Sequence, residues 1–187
     1  NENNLKIRIG GIYNLIGLRF AAGVGADIVG FNLSLNLPNY VDPLKIKEMM
    51  GWIQGPILVG QFSILDGIDY INSVCQELDL NLIELDKYDL VLISQLSDLG
   101  YLVDVPIENN PEEIMDLSLI HSLIINQESL QYFHTFNTFV NIQNKDSKIE
   151  ELPDGIIGIN FKFPALQEEL DEYMELMIDY LEENKLY

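Results

Sequence analysis

The feature that most constrains this chain is a repeated switch in its hydrophobic period. Eight short runs rich in β-branched and apolar residues fall at 6–12, 27–33, 57–63, 81–86, 101–107, 122–126, 138–142 and 156–161. Between them lie stretches with apolar residues at helical spacing, near 15–23, 43–53, 66–78, 89–98, 111–119, 128–135 and 165–183. Strands alternating with single helices signal βα units and a parallel sheet. Asp42-Pro43 and Asn110-Pro111-Glu112-Glu113 read as helix starts, each a capping side chain followed by proline in the first helical turn. The seventh connection, 143–153, lacks a helical pattern and reads as loop.

Eight such units predict an α/β chain folded as a compact (β/α)8 TIM barrel. Its 187 residues lie below the roughly 200–250 usual for that architecture. A five-stranded open sheet would leave three of the runs unexplained. No linker or low-complexity stretch divides the chain, so residues 1–187 are expected to form one barrel domain.

Charge narrows the function. Ten Lys and Arg against 30 Asp and Glu give a formal charge of −20, a field that opposes nucleic acid, anionic membrane and anionic small molecules alike. Part of it belongs to the last helix, where Leu170, Met174, Met177 and Leu181 recur on one face and the carboxylates fill the solvated one. No apolar run approaches the roughly 18 residues of a membrane-spanning helix. The first residues lack the basic end and apolar stretch of a signal peptide, so a cytoplasmic location is expected. Cys75, the only cysteine, reads as a buried helix thiol.

Several segments resemble phosphoribosylanthranilate isomerases. Lys6-Ile7-Arg8-Ile9-Gly10-Gly11-Ile12 is similar to that family's first strand, a K-I-C-G-I-T core. Gly25-Ala26-Asp27-Ile28-Val29-Gly30-Phe31 looks like its G-A-D-x-x-G-F second strand, and Pro38-Asn39-Tyr40-Val41 follows where the family carries P-R-Y-V/I. Val59-Gly60-Gln61-Phe62 resembles V-G-V-F, and Leu82-Ile83-Glu84-Leu85-Asp86 stands where the family has V-Q-L-H. The order and spacing hold over the first half of the chain; beyond it only the strand rhythm continues.

The resemblance implies an Amadori rearrangement in tryptophan biosynthesis, an aldose–ketose isomerisation that needs a general base and a general acid. In the family a first-strand cysteine is the base, an aspartate ending the sixth strand is the acid, and the arginine of P-R-Y holds the substrate. The corresponding residues here are Gly10, Asn126 and Asn39. The glycine turns that bind phosphate after strands seven and eight are replaced by VNIQN and GINFKF. Lys145 and Lys162 are the basic residues expected near that end. The first expectation is therefore an isomerase-like barrel without isomerase activity, kept as a binding or interaction protein. A retained isomerase would need another base and a cationic phosphate site.

An enzyme of altered chemistry is the other reading. Strand alternation turns Glu84, Asp86 and Asp104 toward the barrel interior, where three carboxylates would raise one another's pKa or attract a cation, with metal assistance one option. Asn32, Asn126, Asn141 and Asn160 fall near strand ends and make the mouth polar. No metal site is assigned and no cofactor is expected. The partner is a small molecule or a protein of unspecified kind, with a homodimer left open. His121 and His134 lack partner motifs, and Trp52 with Met49 and Met50 reads as core packing.

Overall fold

The computed structural model describes residues 4–107, 116–133, 136–147, 152–153 and 155–186. Eight parallel strands close into a barrel in chain order: β1 (Lys6–Ile12), β2 (Ile28–Asn32), β3 (Ile57–Phe62), β4 (Leu82–Leu85), β5 (Leu102–Ile107), β6 (Ser122–Ile125), β7 (Thr138–Asn141) and β8 (Ile156–Lys162). Closure is made by β8 against β1, in register from Lys6↔Gly158 to Gly10↔Lys162. Around it run α1 (Leu15–Gly23), α2 (Pro43–Met50), α3 (Ile68–Leu78), α4 (Leu90–Asp98), the short α5 (Leu130–Phe133) and α6 (Leu170–Glu183).

Local chemistry accounts for the element ends. Asn14, Asp42 and Asp89 each cap a helix, accepting from the backbone N–H of Gly17, Leu44 and Leu92 at 2.8, 2.8 and 2.9 Å. Gly25 takes φ 77° after α1, and Asp27 then reaches back to accept the Ile7 N–H at 2.8 Å. The G-A-D sequence thus closes a turn and ties β2 to β1. α2 ends at Met50 rather than continuing to residue 53, because Gly51 and Trp52 turn back onto the carbonyls of Lys47 and Met49. The predicted helix 111–119 falls largely outside the described residues, and 116–119 are not helical.

Two apolar layers hold the barrel. Between strands and helices lies the main core, with Ile7, Ile9, Val29, Phe31, Ile83, Leu85, Val103 and Val105 packed against helix residues such as Leu18, Ile71 and Leu96. α6 contributes Leu170, Met177 and Leu181, fully buried, with Met174 partly so. Inside the barrel a second cluster, Ile28, Val59, Leu82, Ile124 and Phe139, fills the lower lumen. Phe139 fits because β8 carries Gly158 there: a Cβ on Gly158 would lie 2.7 Å from the ring and against the Lys6 carbonyl. Of the group expected to pack in the core, Met49 is buried and Met50 packs partly buried against it, whereas Trp52 stands outside both layers, 74% exposed.

Candidate ligand site at the barrel mouth

Above the apolar plug the lumen turns polar, and the sequence shows why. In each strand, residues two apart face the same side. Arg8 and Gly10, Gln61, Glu84 and Asp86, Asp104, Asn141 and Asn160 all alternate with apolar residues that join the outer core. The expected inward turn of Glu84, Asp86 and Asp104 is what the structure has. What sequence reasoning missed is the residue they surround.

Arg8 is fully buried in the centre of the barrel. Its Nη1 lies 2.6 Å from Glu84 Oε1 and donates to Asn160 Oδ1 at 3.0 Å, while Nη2 lies 3.4 Å from Asp104 Oδ2. The guanidinium carbon stands 5.9 Å from the centre of the Phe139 ring, so the cation rests on the apolar plug. The carboxylates thus do not gather as an uncompensated acidic cluster: two of the three converge on the chain's own cation. The same period-2 pattern that turned the acids inward placed Arg8 inward as well.

From Arg8 the network runs in three directions. Toward the N-terminal end of the barrel, Asp104 Oδ1 lies 3.0 Å from His121 Nδ1, and this hydrogen bond raises the imidazole pKa against the opposing effect of its partial burial. Toward β3, Gln61 donates to Glu84 Oε2 at 2.7 Å and accepts the Gly11 N–H at 2.8 Å. Toward β7 and β6, Asn160 donates to Asn141 and Asn141 to Asn126, both at 2.8 Å.

These contacts explain the paired glycines of β1. Gly11 sits at φ 73° in a bulge of the β1–β2 ladder, a conformation that favours glycine. Gly10 has no side chain because Gln61 lies across it: a Cβ there would stand 2.8 Å from Gln61 Nε2. Gln61 also lies over Gly30, where a Cβ would meet its amide carbon at 2.9 Å.

The mouth encloses a cavity of about 930 Å3. Its polar lining includes Asn32, Gln61, Glu84, Asn126, Asn141 and Asn160, and Leu37, Pro106 and Ile124 are among its apolar neighbours. Asn39 does not line it. That residue adopts φ 59° and donates to the Ala165 carbonyl at 2.9 Å, tying the loop after β2 to the loop after β8. Asn32 closes its own loop, accepting from Ser34 N–H at 2.9 Å and donating to the Pro38 carbonyl. Asp86 lines the cavity and accepts the Ile64 N–H at 2.9 Å. Where β8 ends, the Lys162 N–H donates to the Tyr173 hydroxyl at 3.0 Å, so α6 supplies the acceptor for that backbone group.

Among the described residues, two basic residues line the mouth, Lys87 and Lys162. Lys145, expected there, instead pairs with Asp179 at 2.7 Å on the surface. Among the described residues no group of three or more His, Cys, Asp or Glu is arranged to hold a metal ion. Cys75 is buried, its thiol pushed up to about 12 by desolvation. His134 lies outside the described residues. Among the described residues, no helix is long and apolar enough to cross a membrane.

No protein-family model matches the chain, and no curated protein does. Solved structures do. A monomerised form of the dimeric phosphoribosylanthranilate isomerase of Thermotoga maritima superposes with a TM-score of 0.74 at 18% identity, over 95% of this chain and 98% of that one. The N-(5'-phosphoribosyl)anthranilate isomerase of Pyrococcus furiosus gives 0.74 at 15%, over 98% and 100%. The enzyme of Thermus thermophilus gives 0.68 at 15%, over 94% and 99%. Coverage is nearly complete on both sides, and at these identities the likeness establishes architecture: the chain has the (β/α)8 fold of the phosphoribosylanthranilate isomerases.

Proposed function

We propose that this barrel binds a small polar molecule at its mouth and does not perform the Amadori isomerisation of the enzymes whose fold it shares. The observation that carries the reading is Gln61. It occupies the space a first-strand base would use, held from both sides by the Gly11 N–H and Glu84, and an amide can act neither as base nor as acid at neutral pH.

Three further features support it. Asn126, at the position where the family carries its acid, is an amide that accepts from Asn141. Asn39, at the arginine position, is turned to the Ala165 carbonyl and away from the cavity. At the end of β8 the Lys162 N–H, in the region where the family uses backbone donors for phosphate, already has the Tyr173 hydroxyl. An enzyme working instead through Glu84 or Asp104 is disfavoured by their engagement with Arg8, which occupies their oxygens.

The test is to generate phosphoribosylanthranilate in situ and follow its fluorescence with the purified, folded protein. The expected result is decay at the buffer rate. A catalysed decay would overturn the reading, and Asp86→Asn would then ask whether the remaining mouth carboxylate is the base.

A further inference from the structure

We infer that the Asn126 amide is a committed hydrogen-bond donor into the mouth cavity, and that the site takes a ligand presenting a carboxylate or carbonyl oxygen to the β6–β8 side. The inference rests on reading the cavity as a binding site, and it adds the polarity of what binds.

An asparagine side chain can usually present either its oxygen or its NH2 to a neighbour. Here Arg8 removes that freedom. A guanidinium only donates, so Asn160 must turn Oδ1 toward Nη1, at 3.0 Å, and its NH2 away. That NH2 donates to Asn141 Oδ1 at 2.8 Å. Asn141 is then forced to turn its own NH2 onward, to Asn126 Oδ1 at 2.8 Å. Each amide repeats the orientation of the last. The charge buried at the barrel centre is thereby relayed, as a sense of donation, to Asn126.

Asn126 ends the chain. Its oxygen is taken, and among the described residues its NH2 has no acceptor. Both Asn126 and Asn141 line the cavity. Polarisation along such a chain strengthens its terminal donor. Lys162, in the same lining and with no carboxylate within ion-pair distance among the described residues, places a cation on this side. Across the mouth, on the β4 side, Glu84 is ion-paired with Arg8, and Asp86 stands beside Lys87, so among the described residues no free cation-only face competes with the β6–β8 side for an oxygen acceptor. A ligand with an oxygen acceptor at one end is therefore oriented toward β6–β8, against the net repulsion of a −20 chain.

The experiment uses the full chain labelled with nitrogen-15. Sodium acetate and methylammonium chloride serve as the smallest probes of the two charge classes, each compared with sodium chloride at equal ionic strength. With carbon-13 labelling added, the Asn126 NH2 signal is assigned through its bonds to the residue's own Cβ and backbone, and its loss in Asn126→Asp is a check on that assignment. That variant keeps the oxygen that accepts from Asn141 and replaces the free donor with an anionic oxygen.

Acetate, and not methylammonium, should shift the Asn126 signal saturably. In Asn126→Asp the acetate response read at Asn141 should weaken about tenfold or more, the loss of one charge-assisted hydrogen bond. The wild-type titrations decide the matter even if the variant does not fold. A response of the mouth amides to methylammonium alone would overturn the donor assignment while leaving the cavity a binding site. Silence toward both probes would overturn the donor assignment and the binding reading together, whereas turnover of phosphoribosylanthranilate would overturn only the loss of isomerase activity.

Discussion

At the scale of single residues, Arg8 organises the site. It is one cation facing two buried or nearly buried carboxylates, and removing it would leave both uncompensated. Arg8→Met should therefore cost about 3–5 kcal/mol, measured by urea unfolding, far more than replacement of an exposed lysine such as Lys145. The imbalance of one cation against two anions also explains His121. Asp104 holds its proton more tightly in the folded state than in the unfolded chain, with Lys6 and Arg8 opposing. The raised pKa means that this contribution to stability is full below the unfolded value near 6.5 and is lost as pH rises through the higher folded value. Comparing wild type with His121→Gln between about pH 6 and 8 should show the stability difference shrinking toward alkaline pH; a difference that grows would contradict it. Arg8 was hard to read in the sequence because its partners lie far along the chain, Asp104 at a separation of 96 residues and Asn160 at 152. A lone cation in a strand looks like a solvated edge until the barrel is closed around it. Gln61 escaped for the same reason, since its meaning depends on Gly10 and Gly11 on another strand.

At the scale of elements, most of the fold was legible. Parallel strands buried on both faces leave uninterrupted β-branched runs, and all eight fall within a residue or two of their predicted bounds. Helix starts were legible where a capping side chain marks them, as at Asp42-Pro43. Helix ends were less so. α2 stops at Met50 through a backbone turn that no side chain announces, and that turn also carries Trp52 out of the core. α4 depends on Asp89 as its cap, with Leu92, Ile93 and Leu96 buried behind it. Asp89→Ala should lower stability by about 1 kcal/mol, whereas Asp89→Ser should be nearly neutral, both read from urea midpoints. Equal losses in the two variants would mean that the carboxylate acts through charge rather than as a cap.

At the scale of the whole molecule, a barrel with a formal charge of −20 repels itself, yet among the described residues Arg8 lies beneath its mouth and Lys87 and Lys162 line the rim. The exposed acids are open to screening and the buried network is not. Raising sodium chloride from about 20 to about 300 mM should therefore increase the melting temperature of wild type. A decrease would mean that surface ion pairs, not self-repulsion, dominate its electrostatics. The same contrast frames the functional claim. The fold is the one the phosphoribosylanthranilate isomerases have, while the mouth carries amides and the Arg8 ion-pair network, and the proposed function rests on that difference. The most direct measurement is a single-turnover one, with phosphoribosylanthranilate mixed with an excess of protein. The expected result is a fluorescence trace that superposes on the buffer trace at every protein concentration. A decay that accelerates in proportion to protein would contradict it, and would show that this mouth still carries a working acid and base.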